Sequence, residues 1–135
     1  MDFSIDKFNE MNKGTMMETL DIKYVTAEKG HVVATMPVNA NTHQPDGILH
    51  GGANLALAET VAGLGSVLIV DHSVYSVRGA QVSANHVGTV KTGLVTANGK
   101  LIHKGKNTHV WNIDIVDEDD RLISTCRITN VIVKK

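Results

Sequence analysis

At 135 residues and 14.5 kDa, with 42% hydrophobic and 20% charged residues, the chain has the size of one domain with a real core, taken as residues 1–135. A net charge of −1 and a pI near 6.6 exclude the broad basic field that recruits nucleic acid or an acidic membrane, so any partner chemistry is local. One cysteine, Cys126, excludes an intrachain disulfide and fits a reducing, cytoplasmic compartment; in its strand-like run it reads as an inert buried thiol.

The opening run "MDFSIDKFNEMNKG" carries early acids and no unbroken apolar stretch, so it does not read as a signal peptide. Ile5, Phe8 and Met11 recur at helical spacing behind Ser4, a fitting N-cap, and predict a short amphipathic helix. Gly14 interrupts it, and Thr15 with Glu18 has the spacing of a capping box for one further turn. Met11, Met16 and Met17 read as adaptable core filler. "DIKYVTA" and "HVVATMPV", joined by Glu28-Lys29-Gly30, predict a hairpin.

Ala53 to Val70 is long and apolar enough to cross a bilayer. Asn54, Glu59, Thr60, Gly63, Gly65 and Ser66 interrupt it and no basic flanks anchor it, which favours a helix at the centre of a soluble protein, ending near Asp71-His72. Four strand-like runs follow, Val74–Val87, Leu94–His103, His109–Val116 and Leu122–Val133, read as a four-strand meander. Trp111, Ile113 and Ile115 alternate with Asn112 and Asp114, as a half-buried strand requires. Asp117 to Asp120 is a solvated turn. The sum is an α+β domain, a curved antiparallel sheet around one long helix, with a short N-terminal helix.

Chemistry concentrates in "HQPDGILHGGANLALAET", His43 to Thr60, where His43 reads as local structure. Glu59 is the only ionisable residue between Gly51 and Val70. It faces solvent, pairs with a base such as Arg78, or occupies a working site. Gly51 and Gly52 permit close backbone approach to a ligand, and the first N–H groups of a helix have no internal partner. Such donors, with the positive dipole end, suit a carbonyl oxygen gaining charge, and His50 and Gln44 add side-chain donors upstream. Glu59 lies nine residues beyond His50, about 12–14 Å along the helix and on its opposite face. If both act on one small substrate, the active unit is a dimer with antiparallel helices about a two-fold axis.

Other motifs fail. "GKNT", Gly105 to Thr108, lacks the upstream glycine of a phosphate loop, and Gly63-Leu-Gly-Ser66 is not a nucleophile elbow. His103 and His109 sit six apart without a closed ligand set, so no metal is expected.

The motif Gln-Pro-x-Gly-x-x-His-Gly-Gly with Glu nine residues after the His resembles the hotdog-fold acyl-CoA thioesterases, in the branch of PaaI-like, hydroxybenzoyl-CoA and dihydroxynaphthoyl-CoA thioesterases. "SANHVG" and "HKGKNTHVWNIDIVDEDDRLISTCRITNVIV" extend the likeness over nearly the whole chain. It implies a curved antiparallel sheet around one helix, paired into dimers and dimers of dimers, with an acyl-CoA substrate and no cofactor. It implies that the Gly51 N–H polarises the thioester carbonyl, aided by His50, with Gln44 orienting that region. Glu59 of the partner subunit is then nucleophile or general base. Gly52, Thr60, Gly63, Asn85 and His86 would line the substrate, the last two near the nucleotide arm, while Lys91, His103, Lys104 and Lys106 would meet CoA phosphates. Members of this branch often carry Ser or Thr one turn after the Glu, where this chain has Gly63. That departure keeps a second reading open, a non-catalytic acyl-CoA binder or sensor on the same fold. A hydratase on that fold is third, since its Asp/His dyad motif is absent.

Overall fold

The structure, a computed structural model, describes residues 4–135. Ser4 caps α1 (Ile5–Met11) by accepting from the Lys7 N–H at 3.2 Å, and Phe8 faces inward. The capping box expected for α2 (Met16–Thr19) does not close. The Thr15 hydroxyl donates back to the Asn12 carbonyl at 2.6 Å, and Glu18 accepts from the Gly14 N–H. The methionines also divide: Met17 packs on the core, whereas Met11 and Met16 are 62% and 58% exposed. Helices this short turn only a narrow stripe inward, so most of each lies outside the core.

The hairpin forms as expected from β1 (Lys23–Glu28) and β2 (His31–Pro37), with Gly30 supplying the positive φ of its turn. After α3 (Gly51–Ile69) come β3 (Tyr75–His86), β4 (Leu94–Lys104), β5 (Thr108–Val116) and β6 (Leu122–Lys134). They make one antiparallel sheet of order β1-β2-β4-β5-β6-β3. The four-strand meander is therefore corrected. β4, β5 and β6 meander, but β3 crosses to the far edge and pairs with β6, while β2 takes the place beside β4. The helix explains the crossing. Nineteen residues span about 28 Å, enough to carry the chain across four strand spacings, roughly 19 Å.

Breaks of register between Tyr24 and Thr26, Gly79 and Gln81, and Leu101 and His103 add the local bends that let the sheet curve around α3. Leu57, Ala58, Val61 and Ala62 of α3 are fully buried against Val32, Ala34, Val95, Ala97 and the expected alternating face Trp111, Ile113 and Ile115 of β5. The seam is close enough to dictate glycine at Gly65: a Cβ there would stand 2.3 Å from Cη2 of Trp111. At Gly63, by contrast, a Cβ would meet nothing within 4 Å, so that face of α3 opens onto free space. α3 has the length and mean hydropathy, 1.4, of a membrane span, but half of it is buried inside this chain. Cys126 is buried too, and burial pushes its thiol above the ordinary range, in keeping with an unreactive group.

Candidate active site

The start of α3 accounts for nearly all of its own donors. His50 is the N-cap, and its Nδ1 accepts from the Gly52 N–H at 2.7 Å. The N–H groups of Ala53 and Asn54 both reach the His50 carbonyl, at 3.0 and 3.3 Å. Among the described residues, the Gly51 N–H alone of this first turn makes no hydrogen bond. One orphan donor at the positive end of a helix is the arrangement that binds an oxygen acquiring negative charge.

That donor faces a cleft of 350 Å³ whose walls include Gln44, Leu49, Gly51, Asn54, His86 and Thr89. Gln44 stands in a turn closed by Gly47 at φ +76°; its carboxamide oxygen accepts from the Asp46 N–H, which leaves the NH₂ group as its free polar end. His43 is local structure as expected: its ring bonds the Lys91 carbonyl at 2.8 Å and holds the neighbouring loop, Lys91 included, beside this end of the helix.

The His86 ring is packed against the helix start: a Cβ on Gly51 would stand 2.7 Å from Nε2 and 2.8 Å from Cδ2. Nδ1 is held by the buried Ser124 hydroxyl at 2.8 Å, which fixes the ring and leaves Nε2 at the cleft. Glycine at Gly51 is thus required by packing. Asn85, next to it on β3, is exposed.

Glu59 is exposed and does not line this cleft, in keeping with the separation along the helix. It does not pair with Arg78, whose guanidinium donates to the Val77 carbonyl. Its carboxylate lies against β3, where a Cβ on Gly79 would be 3.0 Å from Oε2. Thr60 donates its hydroxyl to the Ala56 carbonyl at 2.7 Å, one turn back, so it is tied to its own helix. The basic residues do not gather as one cluster. Lys91 flanks the N-terminal end of α3, whereas Lys104 and Lys106 edge a 250 Å³ cleft at its other end with Ile69, Val70, Tyr75 and His109; His103 is exposed on β4.

A second polar group went unnoticed in the sequence because its members are 64 residues apart. Ser66 Oγ accepts from Trp111 Nε1 at 2.9 Å and from Asn130 Nδ2 at 3.0 Å, so its own hydrogen goes to His109 Nδ1, 2.9 Å away. All four residues are buried, and His109 is held as the neutral ring protonated at Nε2. Burial, then the nearby Lys104 charge, lowers its pKa below the usual value of 6.5. An unfolded His109 takes up a proton as pH falls through about 6.5 and the folded one does not, so stability is full above that pH and declines below it. Unfolding midpoints measured from pH 8 to pH 5 should fall more steeply for the native chain than for His109→Gln; parallel profiles would refute this.

With the geometry in place, the comparisons with known proteins decide the family. The pattern of the thioesterase superfamily matches residues 46–124, from the Gln44 turn to β6. The chain belongs to the thioesterase superfamily. It is 40% identical to the 1,4-dihydroxy-2-naphthoyl-CoA hydrolase of Listeria monocytogenes, over 89% of this chain and 97% of that one. Identity to the hydrolase of the same name from Escherichia coli is 36%, covering 96% and 95%. A crystal structure of a mutant of thioesterase PA1618 from Pseudomonas aeruginosa superposes with a TM-score of 0.96 at 35% identity, covering 100% and 97%. The sheet and helix are thus those of the hotdog thioesterases, and the chain is a thioester hydrolase.

Proposed function

We propose that the hydrolysis occurs in a site shared by two subunits, the Gly51 cleft of one and Glu59 of the other. The observation that carries this reading is the single unpartnered N–H of Gly51 at the mouth of the cleft, with Glu59 out of its reach in the same chain. β3 offers the joint. It is a twelve-residue edge strand with a free row of backbone groups, and Glu59 lies over it at the break beside Gly79. Pairing β3 with its symmetry mate sets the two α3 helices antiparallel and brings Glu59 of the partner subunit toward Gly51. Dimers of dimers, residues 1–135 as one domain and a cytoplasmic location belong to the same reading.

In this site the thioester oxygen hangs on the Gly51 N–H, with His50 and His86 beside it and the Gln44 amide orienting the approach. Glu59 of the partner subunit takes a proton from water, which adds to the carbonyl carbon, or adds to it directly and is freed by water afterwards. Charge passes to the oxygen, where the N–H and helix dipole stabilise it. Collapse breaks the carbon–sulfur bond. On the general-base route coenzyme A leaves as the thiol with the proton Glu59 took from water. On the nucleophilic route it leaves as the thiolate, is protonated from solvent, and water then splits the Glu59 acyl anhydride into free acid and carboxylate. Gly52 lets the ligand close on the helix; Thr60 and the open face at Gly63 leave room for the acyl group. For the CoA phosphates, Lys91 serves from the same subunit, while Lys104, Lys106 and His103, with Asn85 on the joining strand, are brought in by the partner subunit.

Thiol release from a panel of aliphatic and aromatic acyl-CoA thioesters tests the activity. The expected result is turnover of at least one of them with saturation kinetics. Tight binding across the panel without thiol release would overturn it in favour of an acyl-CoA sensor.

A further inference from the structure

Asn130 of β6 is 1% exposed and spans the seam between the sheet and α3. Its Nδ2 donates to the Ala62 carbonyl and to Ser66 Oγ, each at 3.0 Å. A carbonyl only accepts, so the end of the amide facing Ala62 is the NH₂ and the opposite end is the oxygen. Ser66 Oγ is held in turn by Trp111 Nε1 and His109 Nδ1, both at 2.9 Å, so the carboxamide cannot turn over without breaking a buried network. Oδ1 lies outside that network. No described residue donates to it, yet it is not sealed from the surface. It lies beside Gly79, the residue opposite Asn130 on β3, and Glu59 lies there too: a Cβ on Gly79 would stand 3.8 Å from Oδ1 and 3.0 Å from Glu59 Oε2. Two oxygens that only accept thus border the gap left by the missing Cβ. Neither can bond the other, and a water, with two hydrogens to give, can bond both.

We propose that Asn130 Oδ1 and Glu59 together hold the water that attacks the thioester, and that Ser66, Trp111 and His109 position the Asn130 amide for that task. The inference rests on the role of Glu59 proposed above and selects its general-base route. One O–H of the water is given to Glu59 Oε2 and the other to Oδ1, which turns a lone pair away from both, toward the carbonyl carbon held at Gly51 of the partner subunit. As the carbon–oxygen bond forms, the first proton passes to Glu59 and the carbonyl electron pair moves onto the oxygen at the Gly51 N–H. The second hydrogen stays on the new hydroxyl, still bonded to Oδ1. Cleavage of the carbon–sulfur bond then returns the Glu59 proton to the departing sulfur, and acid and thiol leave. A water bonded to Glu59 alone would swing about that single bond, whereas a second acceptor fixes which lone pair meets the carbonyl. Gly63, one turn on from Glu59, has no side chain to offer in its place.

The test measures thiol release from benzoyl-CoA and hexanoyl-CoA by Asn130→Val, whose side chain suits a strand and offers no acceptor, and by Asn130→Ala, which crowds nothing. Each is made in the native chain and in Gly63→Ser, where the open space at position 63 admits a hydroxyl one turn from Glu59. In the native background kcat should fall about 10–10²-fold with KM unchanged within about threefold. In the Gly63→Ser background the same substitution should cost less than about threefold, because the serine hydroxyl gives the water its second acceptor. Circular dichroism shows which variants are folded at the assay temperature, and either of the two suffices. An asparagine that served only the fold would lose equally in both backgrounds, since a serine facing open space does not repair a buried network. That equal loss, a loss confined to KM, or native turnover in a folded Asn130 variant would overturn the proposal. Glu59→Gln in the same assay separates the two readings. If it is inactive while Asn130→Val turns over normally, Glu59 stands and this inference alone falls; native turnover in Glu59→Gln, or none by the native protein, removes both.

Discussion

Glu59→Gln should lower kcat/KM for acyl-CoA hydrolysis by about 10²–10⁴-fold while the protein stays folded and keeps its affinity for acyl-CoA. The amide fills the same space but neither takes a proton from water nor attacks a carbonyl. The fold has little stake in the change: Glu59 is exposed, makes no ion pair with Arg78, and touches β3 only where Gly79 leaves room. Thr60 does not substitute, because its hydroxyl is engaged with Ala56, and Gly63 has no side chain to hold a water. Thiol release and the unfolding midpoint, measured together, separate a chemical defect from a structural one. Turnover within a few-fold of the native chain would remove Glu59 from the mechanism.

Gly51→Ala should cost about 10²–10³-fold in kcat, the loss seen when one donor to an oxyanion is misplaced. The added Cβ would arrive 2.7 Å from Nε2 of His86, a ring that cannot slide away without breaking its 2.8 Å bond to Ser124. Either the ring leaves the cleft or the helix start shifts, and both move the only free N–H of the first turn. The same clash should lower the unfolding midpoint, so kcat is read at a temperature where the variant is shown to be folded. His86→Ala in the same chain should relieve the clash, so the double variant should recover part of the Gly51→Ala loss. If Gly51→Ala is fully active, the orphan N–H is not the carbonyl site.

Much of this site was legible because its signals are local. The alternation of Trp111, Ile113 and Ile115, the Ser4 cap and the lone acid of α3 are all read within a few residues, and Gly51 announced a close approach. What it approaches was not legible: His86 meets Gly51 across 35 positions, by way of a strand that looks like any other. The same distance hid the crossing of β3 to β6, which follows from the length of α3 rather than from any strand's own pattern. Ser66, His109, Trp111 and Asn130 each read as an ordinary helix or strand residue, and only packing joins them. Met11 and Met16 misled because their hydrophobicity is real while two short helices have little core to offer them.

The central claim, that one active site draws on two chains, is tested most directly by mixing subunits. Gly51→Ala and Glu59→Gln proteins, each inactive alone, are unfolded together in equal amounts and refolded. Random pairing makes half of the dimers mixed, each with one site holding an intact Gly51 from one chain and an intact Glu59 from the other, so about a quarter of native activity should return. Mixed dimers that form, by mass, yet stay at the level of the parents would contradict the account and place both residues in the same chain's site.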